Sequence, residues 1–203
     1  MIDPRIYLAS RSPRRRELLT QVGVRFDLLL FRTPPRDDHE VSEDRLSDEN
    51  PETYVRRVAL AKAVFGAGLI ARREIVARPV LAADTTLDLD GEVIGKPRDE
   101  ADAEAILTRL SGRSHRVLTA VAIAGGERVE HRVSISEVRF RPLTAAEIRR
   151  YVQSGEPMDK AGAYGIQGRA AMFIEEIRGS HSGIVGLPLC ETTLLLREFG
   201  YPL

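Results

Sequence analysis

The stretch Val80-Leu81-Ala82-Ala83-Asp84-Thr85-Thr86-Leu87-Asp88-Leu89-Asp90-Gly91-Glu92-Val93-Ile94-Gly95-Lys96-Pro97 decides the architecture. Val80 to Ala83 is a short apolar run of the kind that forms a buried strand. Leu87, Leu89, Val93 and Ile94 then alternate around Asp90-Gly91, the mark of a two-residue hairpin. Strands joined by a hairpin run antiparallel, so the sheet is not uniformly parallel. Outward from this centre, Val117 to Ala124 and Val129 to Phe140 flank Gly125-Gly126 and predict a second, longer hairpin. Towards the N-terminus, Arg5 to Ser10 and Val24 to Phe31 read as strands, separated by a helix that Ser12 caps, Pro13 opens and Gly23 stops. Pro51 opens a helix to about Ile70, with Tyr54, Val55, Val58, Ala59, Ala61 and Ala63 on its buried face. Ala101 to Leu110, Ala145 to Gln153 behind a Thr144 cap, and Leu187 to Phe199 are helical, and Met172 to Ile177 is a strand. The expected fold class is α/β: a mixed twisted sheet covered by helices, in one domain over residues 1–203 that can divide into two lobes.

Composition narrows the partners. Lys+Arg and Asp+Glu balance at 30 each, so no global field favours a nucleic-acid polymer or an anionic membrane, and a small ligand is expected instead. The single Cys190 cannot form an internal disulfide, and no Cys and His cluster with metal-ligand spacing is present. At the N-terminus, Ile6-Tyr7-Leu8-Ala9 gives way at once to arginines, unlike a targeting segment. Val64 to Ala71 falls short of the ~20 apolar residues that cross a bilayer. A cytoplasmic location is therefore expected. Only three of the 30 basic residues are lysine, Lys62, Lys96 and Lys160. A lysine kept where arginine serves almost everywhere else points to a place that needs a compact ammonium.

Chemistry concentrates at a few places. Ser10-Arg11-Ser12-Pro13-Arg14-Arg15 carries a strand into a helix N-terminus with cations in its first turn, where an anion such as a phosphate chain would resolve the conflict with the helix dipole. Asp84 emerges at the end of an apolar strand, twelve residues before Lys96, and is a candidate general base or metal ligand. Met158 to Gly168 places Gln167 in a glycine-rich loop that can approach a planar ligand and read a donor–acceptor pair. Between Arg32 and Asn50 lies a polar segment with seven carboxylates from Asp37 to Glu49. Three other patterns fail. Gly91 to Lys96 is one residue short of a phosphate loop and has Pro97 where Ser or Thr binds magnesium. Asp88-Leu89-Asp90-Gly91 mimics a haloacid-dehalogenase-type phosphatase but reads better as a hairpin. His181, not serine, centres Gly179 to Gly183, against a serine hydrolase.

Taken with Lys62-Ala63, Leu110-Ser111-Gly112-Arg113 and Val185-Gly186-Leu187-Pro188-Leu189, these motifs resemble the Maf family of nucleoside triphosphate pyrophosphatases, in the same order over nearly the whole chain. The resemblance implies two lobes around a central cleft, related in shape to inosine triphosphate pyrophosphatases. It implies hydrolysis of a nucleoside triphosphate to monophosphate and pyrophosphate, and Asp84-Thr85 with Ile166-Gln167-Gly168 look like the branch acting on dTTP and UTP. By resemblance Asp84 is the proton acceptor, Lys62 and Lys96 match active-site lysines, and Arg14, Thr85 and Gln167 set substrate choice. Ser10 and Arg15 join the substrate-binding set. A divalent cation, Mg²⁺ or Mn²⁺, is expected with Asp84 and a carboxylate of the acidic segment as ligands. Relatives place an acidic pair soon after the second strand, whereas this longer segment offers Asp38, Glu40, Asp48 and Glu49, of which Glu40 is favoured. The expected partner is a nucleoside triphosphate, and a homodimer is left open. The alternatives are a non-catalytic nucleotide-binding regulator of cell division, which needs no general base, and a phosphatase that releases orthophosphate.

Overall fold

The structure is a computed structural model and describes residues 4–32, 41–47 and 49–203. Among the described residues seven strands form one mixed sheet: β1 (Ile6–Leu8), β2 (Phe26–Leu28), β3 (Val80–Leu89), β4 (Glu92–Ile94), β5 (Ser114–Gly125), β6 (Arg128–Phe140) and β7 (Ile174–Arg178), in the order β2-β1-β3-β5-β6-β7. β1 lies parallel to β2 and β3, and every pairing from β3 through β5 and β6 to β7 is antiparallel, so both predicted hairpins form. β4 pairs with the far end of β3, at Leu87 to Leu89, while β1 pairs with its near end, at Val80 and Leu81. With β5 along the opposite edge, the middle of β3 has no strand partner on the β1 side among the described residues. That break in the sheet is where the cleft opens.

Strand alternation sorts the side chains onto two faces. Val80 and Ala82 pack with Leu118, Ala120 and Ala122 beneath α2 (Pro51–Arg72), against Val55, Ala59, Ala63 and Ile70. Leu81 and Ala83 point to the other face, with Val121 and Ile123, beneath α1 (Pro13–Gln21) and α6 (Leu189–Glu198). Gly66 lets α2 lie close: a Cβ there would sit 2.8 Å from Val80 Cγ1. A third core gathers Leu87, Leu89, Ile94, Phe140 and Phe173 under α3 (Glu100–Leu110) and α4 (Ala145–Val152). The sheet thus carries two cores at one end and one at the other, with the break in β3 between them.

Three local expectations change. β3 does not end at Ala83 but continues to Leu89, which puts Asp84 in mid-strand instead of at a strand end. Ser12 precedes α1 as predicted, yet its side chain makes no capping bond. Tyr54 is only half-buried and lines the cleft. Thr144 does cap α4, in a reciprocal capping box with Glu147. Two features escape sequence reading: α5 (His181–Val185), and three short 3₁₀ turns between Glu156 and Phe173.

Candidate active site

A cleft of about 1010 Å³ runs along the open edge of β3 between the cores. Its floor is Asp84. As the third of the alternating positions 80, 82 and 84, its carboxylate faces α2, where Lys62 falls on the apolar stripe of Val55, Val58, Ala59 and Gly66. Lys62 Nζ donates to Asp84 Oδ1 at 2.9 Å and also meets Glu43 Oε1 at 2.6 Å. An ammonium has three donors, so one remains for a ligand. Burial raises the Asp84 carboxyl above the ordinary range; Lys62 and then Arg15 oppose this, and Glu43 adds to it. Burial would raise Glu43 as well, but the bonded Lys62, with Lys96 and Arg15, brings it below its ordinary value. Of the two, Asp84 is the better proton acceptor.

Thr85 points to the opposite face. Thr119 stands directly across from it on β5, and the two hydroxyls are 3.0 Å apart. Thr119 donates to the Gly183 carbonyl at 2.7 Å, so Thr85 must donate to Thr119 and is left to accept from Arg15 Nη2 at 3.3 Å. Arg15 also donates to the Gly186 carbonyl at 2.8 Å and to Ser10 Oγ at 3.3 Å. These contacts fix the guanidinium in the cleft wall, beside the N-terminus of α1, which lacks a side-chain cap. Arg14 crosses the cleft to Asp159 at 3.5 Å. Lys96 is exposed on the rim and makes no ion pair among the described residues.

The cleft therefore gathers Ser10, Arg14, Arg15, Lys62, Asp84, Thr85, Lys96 and Gln167, and all three lysines line it. The Thr85 hydroxyl, assigned to substrate choice by the resemblance, gives its proton to Thr119 and braces Arg15. Gln167 is exposed and makes no hydrogen bond among the described residues, so packing does not fix its amide. Only the backbone of its loop is held: Arg169 N donates to Glu156 Oε2 at 3.0 Å, and a Cβ on Gly168 would run into that carboxylate.

The acidic segment is described only in part, and the favoured Glu40 is not in that part. Glu40, Asp38 and Asp48 lie outside the described residues. Glu49 is buried against Arg57 and does not line the cleft; Glu43 does. No local pattern singles out Glu43 among the seven carboxylates. The reach of Lys62 selects it, and that is set by the fold.

Asp84 and Glu43 share one ammonium, and neither Asp84 Oδ2 nor Glu43 Oε2 is bonded among the described residues. No group of three or more His, Cys, Asp or Glu fit to hold a metal occurs there either. This donor set suits magnesium or manganese, which can take one or two carboxylates and complete their shells with water and phosphate oxygens. Nor is any helix among the described residues long and apolar enough to cross a membrane.

A family model described as Maf-like protein matches residues 5–199. A protein of Aromatoleum aromaticum named dTTP/UTP pyrophosphatase is 63% identical over 203 residues, covering 100% of this chain and 98% of its own. Proteins of the same name from Dechloromonas aromatica and Cupriavidus pinatubonensis are 57% and 56% identical, over 97% and 95% of this chain and 98% and 96% of theirs. Among solved structures, the Ham1 protein of Staphylococcus aureus matches with a TM-score of 0.48 at 14% identity, over 96% of this chain and 97% of that one.

Proposed function

The chain belongs to the Maf family, and from that premise we propose that it hydrolyses dTTP and UTP to the nucleoside monophosphate and pyrophosphate, as a cytoplasmic enzyme that cleans the nucleotide pool. The observation that carries the reading is Lys62 Nζ held between Asp84 and Glu43 at the floor of a cleft rimmed by Arg14, Arg15 and Lys96. A carboxylate that burial holds above its ordinary range, beside cations that can receive a leaving pyrophosphate, suits a proton acceptor. Asp84 accepts a proton from water as its oxygen bonds to the α-phosphorus, and the bond from that phosphorus to the bridging oxygen breaks. Pyrophosphate leaves toward Lys62, Lys96 and the arginines, whose charge stabilises the oxygen that takes up the electron pair. A divalent cation held by Asp84 and Glu43 would add charge neutralisation on the phosphate oxygens. Ser10 and Thr85 keep Arg15 directed at the phosphates. Gln167 faces the base, and its amide can meet the carbonyl and N–H of a uracil or thymine edge.

A panel of triphosphates tests this. kcat/KM for dTTP and UTP is expected to exceed that for ATP and GTP by about 10-fold or more, with pyrophosphate and not orthophosphate released. Gln167→Glu, which removes the amide donor, should erode that preference. Equal rates on purine and pyrimidine nucleotides would remove Gln167 from base reading, and orthophosphate as product would overturn the reaction.

A further inference from the structure

Glu43 sits in a segment with no regular secondary structure, and its side chain is 52% exposed, yet it reaches Lys62 at 2.6 Å. Such a segment needs fixing from outside. The fixing comes from α2, one and two turns before Lys62. Arg57 holds Glu49 with both arms of its fork, Nε to Oε1 at 2.7 Å and Nη2 to Oε2 at 2.9 Å. The same guanidinium donates to the carbonyls on either side of Glu43, to Asp44 at 2.8 Å and to Ser42 at 3.4 Å. Tyr54 donates its hydroxyl to the carbonyl of Glu43 itself at 2.9 Å. Glu49, only 5% exposed, in turn accepts from the Leu46 amide at 3.3 Å. Five hydrogen bonds from α2 thus converge on Ser42, Glu43, Asp44 and Glu49, in the segment that supplies one carboxylate to the cleft.

We propose that Arg57 is a positioning residue: through Ser42, Asp44 and Glu49 it sets the acidic segment so that the Glu43 carboxylate rests on Lys62 beside Asp84. Arg57 does not line the cleft and touches no reacting atom. Lysine cannot replace it, because a single ammonium lacks the planar fork that meets a carboxylate and two carbonyls together. The inference rests on the role given to Glu43 above.

A double-mutant cycle in dTTP hydrolysis separates the two claims. Arg57→Lys alone should lower kcat about 10- to 100-fold, the loss that a displaced catalytic group brings. In a Glu43→Gln background the same change should cost less than about twofold, because its route of action is already gone. Hydrogen exchange at residues 41–47 should speed up in Arg57→Lys while the amides of the second half of α2 stay protected. Equal losses in both backgrounds, or no loss in either, would overturn the proposal while leaving Glu43 in place. Full activity of Glu43→Gln would overturn the role of Glu43 and the proposal with it. Tyr54→Phe, which deletes one hydroxyl and keeps the ring, gives a second cycle that should be non-additive with Glu43→Gln in the same way; additivity there would equally count against positioning of the segment from α2.

Discussion

At the scale of single residues, the buried carboxylate and the sparse lysines carry the chemistry. Asp84→Asn keeps the shape of the floor and removes the base, so turnover should fall by about two to four orders of magnitude with the melting transition little moved. Near-normal turnover would take Asp84 out of the mechanism. Lysine scarcity is informative because Lys62, Lys96 and Lys160, scattered over 99 positions, all line one cleft. Lys96→Arg should therefore cost about 10-fold or more in kcat, as the bulkier fork cannot occupy the same point beside the phosphates. Retained activity would show that only positive charge matters there. Asp84, Lys96 and the arginine pair were legible because their local sequence is abnormal: a carboxylate after an apolar run, cations where a helix dipole disfavours them. Glu43 was not, because what distinguishes it from its acidic neighbours is a lysine on another element.

At the scale of elements, long patterns were legible and short or polar ones were not. Both hairpins, the capping box of α4 and the 22-residue α2 follow from turn residues, caps and periodicity. The strand through Asp84-Thr85-Thr86 did not, since the polar run reads as an ending; inside the fold Lys62, Arg15 and Thr119, all remote in sequence, satisfy the first two of those side chains. α5 spans five residues, too few for a periodic signal. The element that couples packing to chemistry is α2, and Gly66 tests it. In an ordinary helix interior Gly→Ala stabilises by roughly 0.5–1 kcal/mol. Here the added Cβ would lie 2.8 Å from Val80 Cγ1, a stiff β-branched side chain within the core. Gly66→Ala should therefore destabilise the protein by about 1–3 kcal/mol and, by lifting α2 off β3, separate Lys62 from Asp84, with a fall in kcat larger than any change in KM. A raised melting temperature with normal turnover would show that the sheet and α2 are not closely coupled.

At the scale of the whole molecule, the cleft exists because the cores on either side of it must each stand while the edge of β3 between them stays open. The core under α3 and α4 holds a buried ionisable group, His115, ringed by Phe140 and Tyr164 with centroids at 5.1 and 5.4 Å. Its Nε2 is 2.7 Å from the Tyr164 hydroxyl, and its Nδ1 has no hydrogen-bond partner among the described residues. Burial pushes His115 down to about 4. The unfolded chain takes up this proton near pH ~6.5, the native state only near about 4, so between those values the unfolded state binds more protons and stability drops as the pH is lowered. The contribution is complete above pH ~6.5 and is lost toward about 4, with a span of roughly 3 kcal/mol. Asp84, raised by burial, acts in the opposite sense, gaining stability as it takes up a proton. Total stability mixes these with the carboxyls held below their ordinary range, Glu43, Glu49 and Glu147 among them, and the informative quantity is the difference between the unmodified protein and His115→Gln, which removes one titration and leaves the rest. Urea unfolding at about pH 7, 5.5 and 4.5 should show the unmodified protein losing more stability than the variant on acidification. Tyr164 belongs both to this core and to the cleft wall. Loss of substrate affinity should accordingly accompany the loss of stability in the unmodified protein and be smaller in His115→Gln. Parallel pH curves for the two proteins would show that His115 is not the group through which acid reaches this half of the molecule.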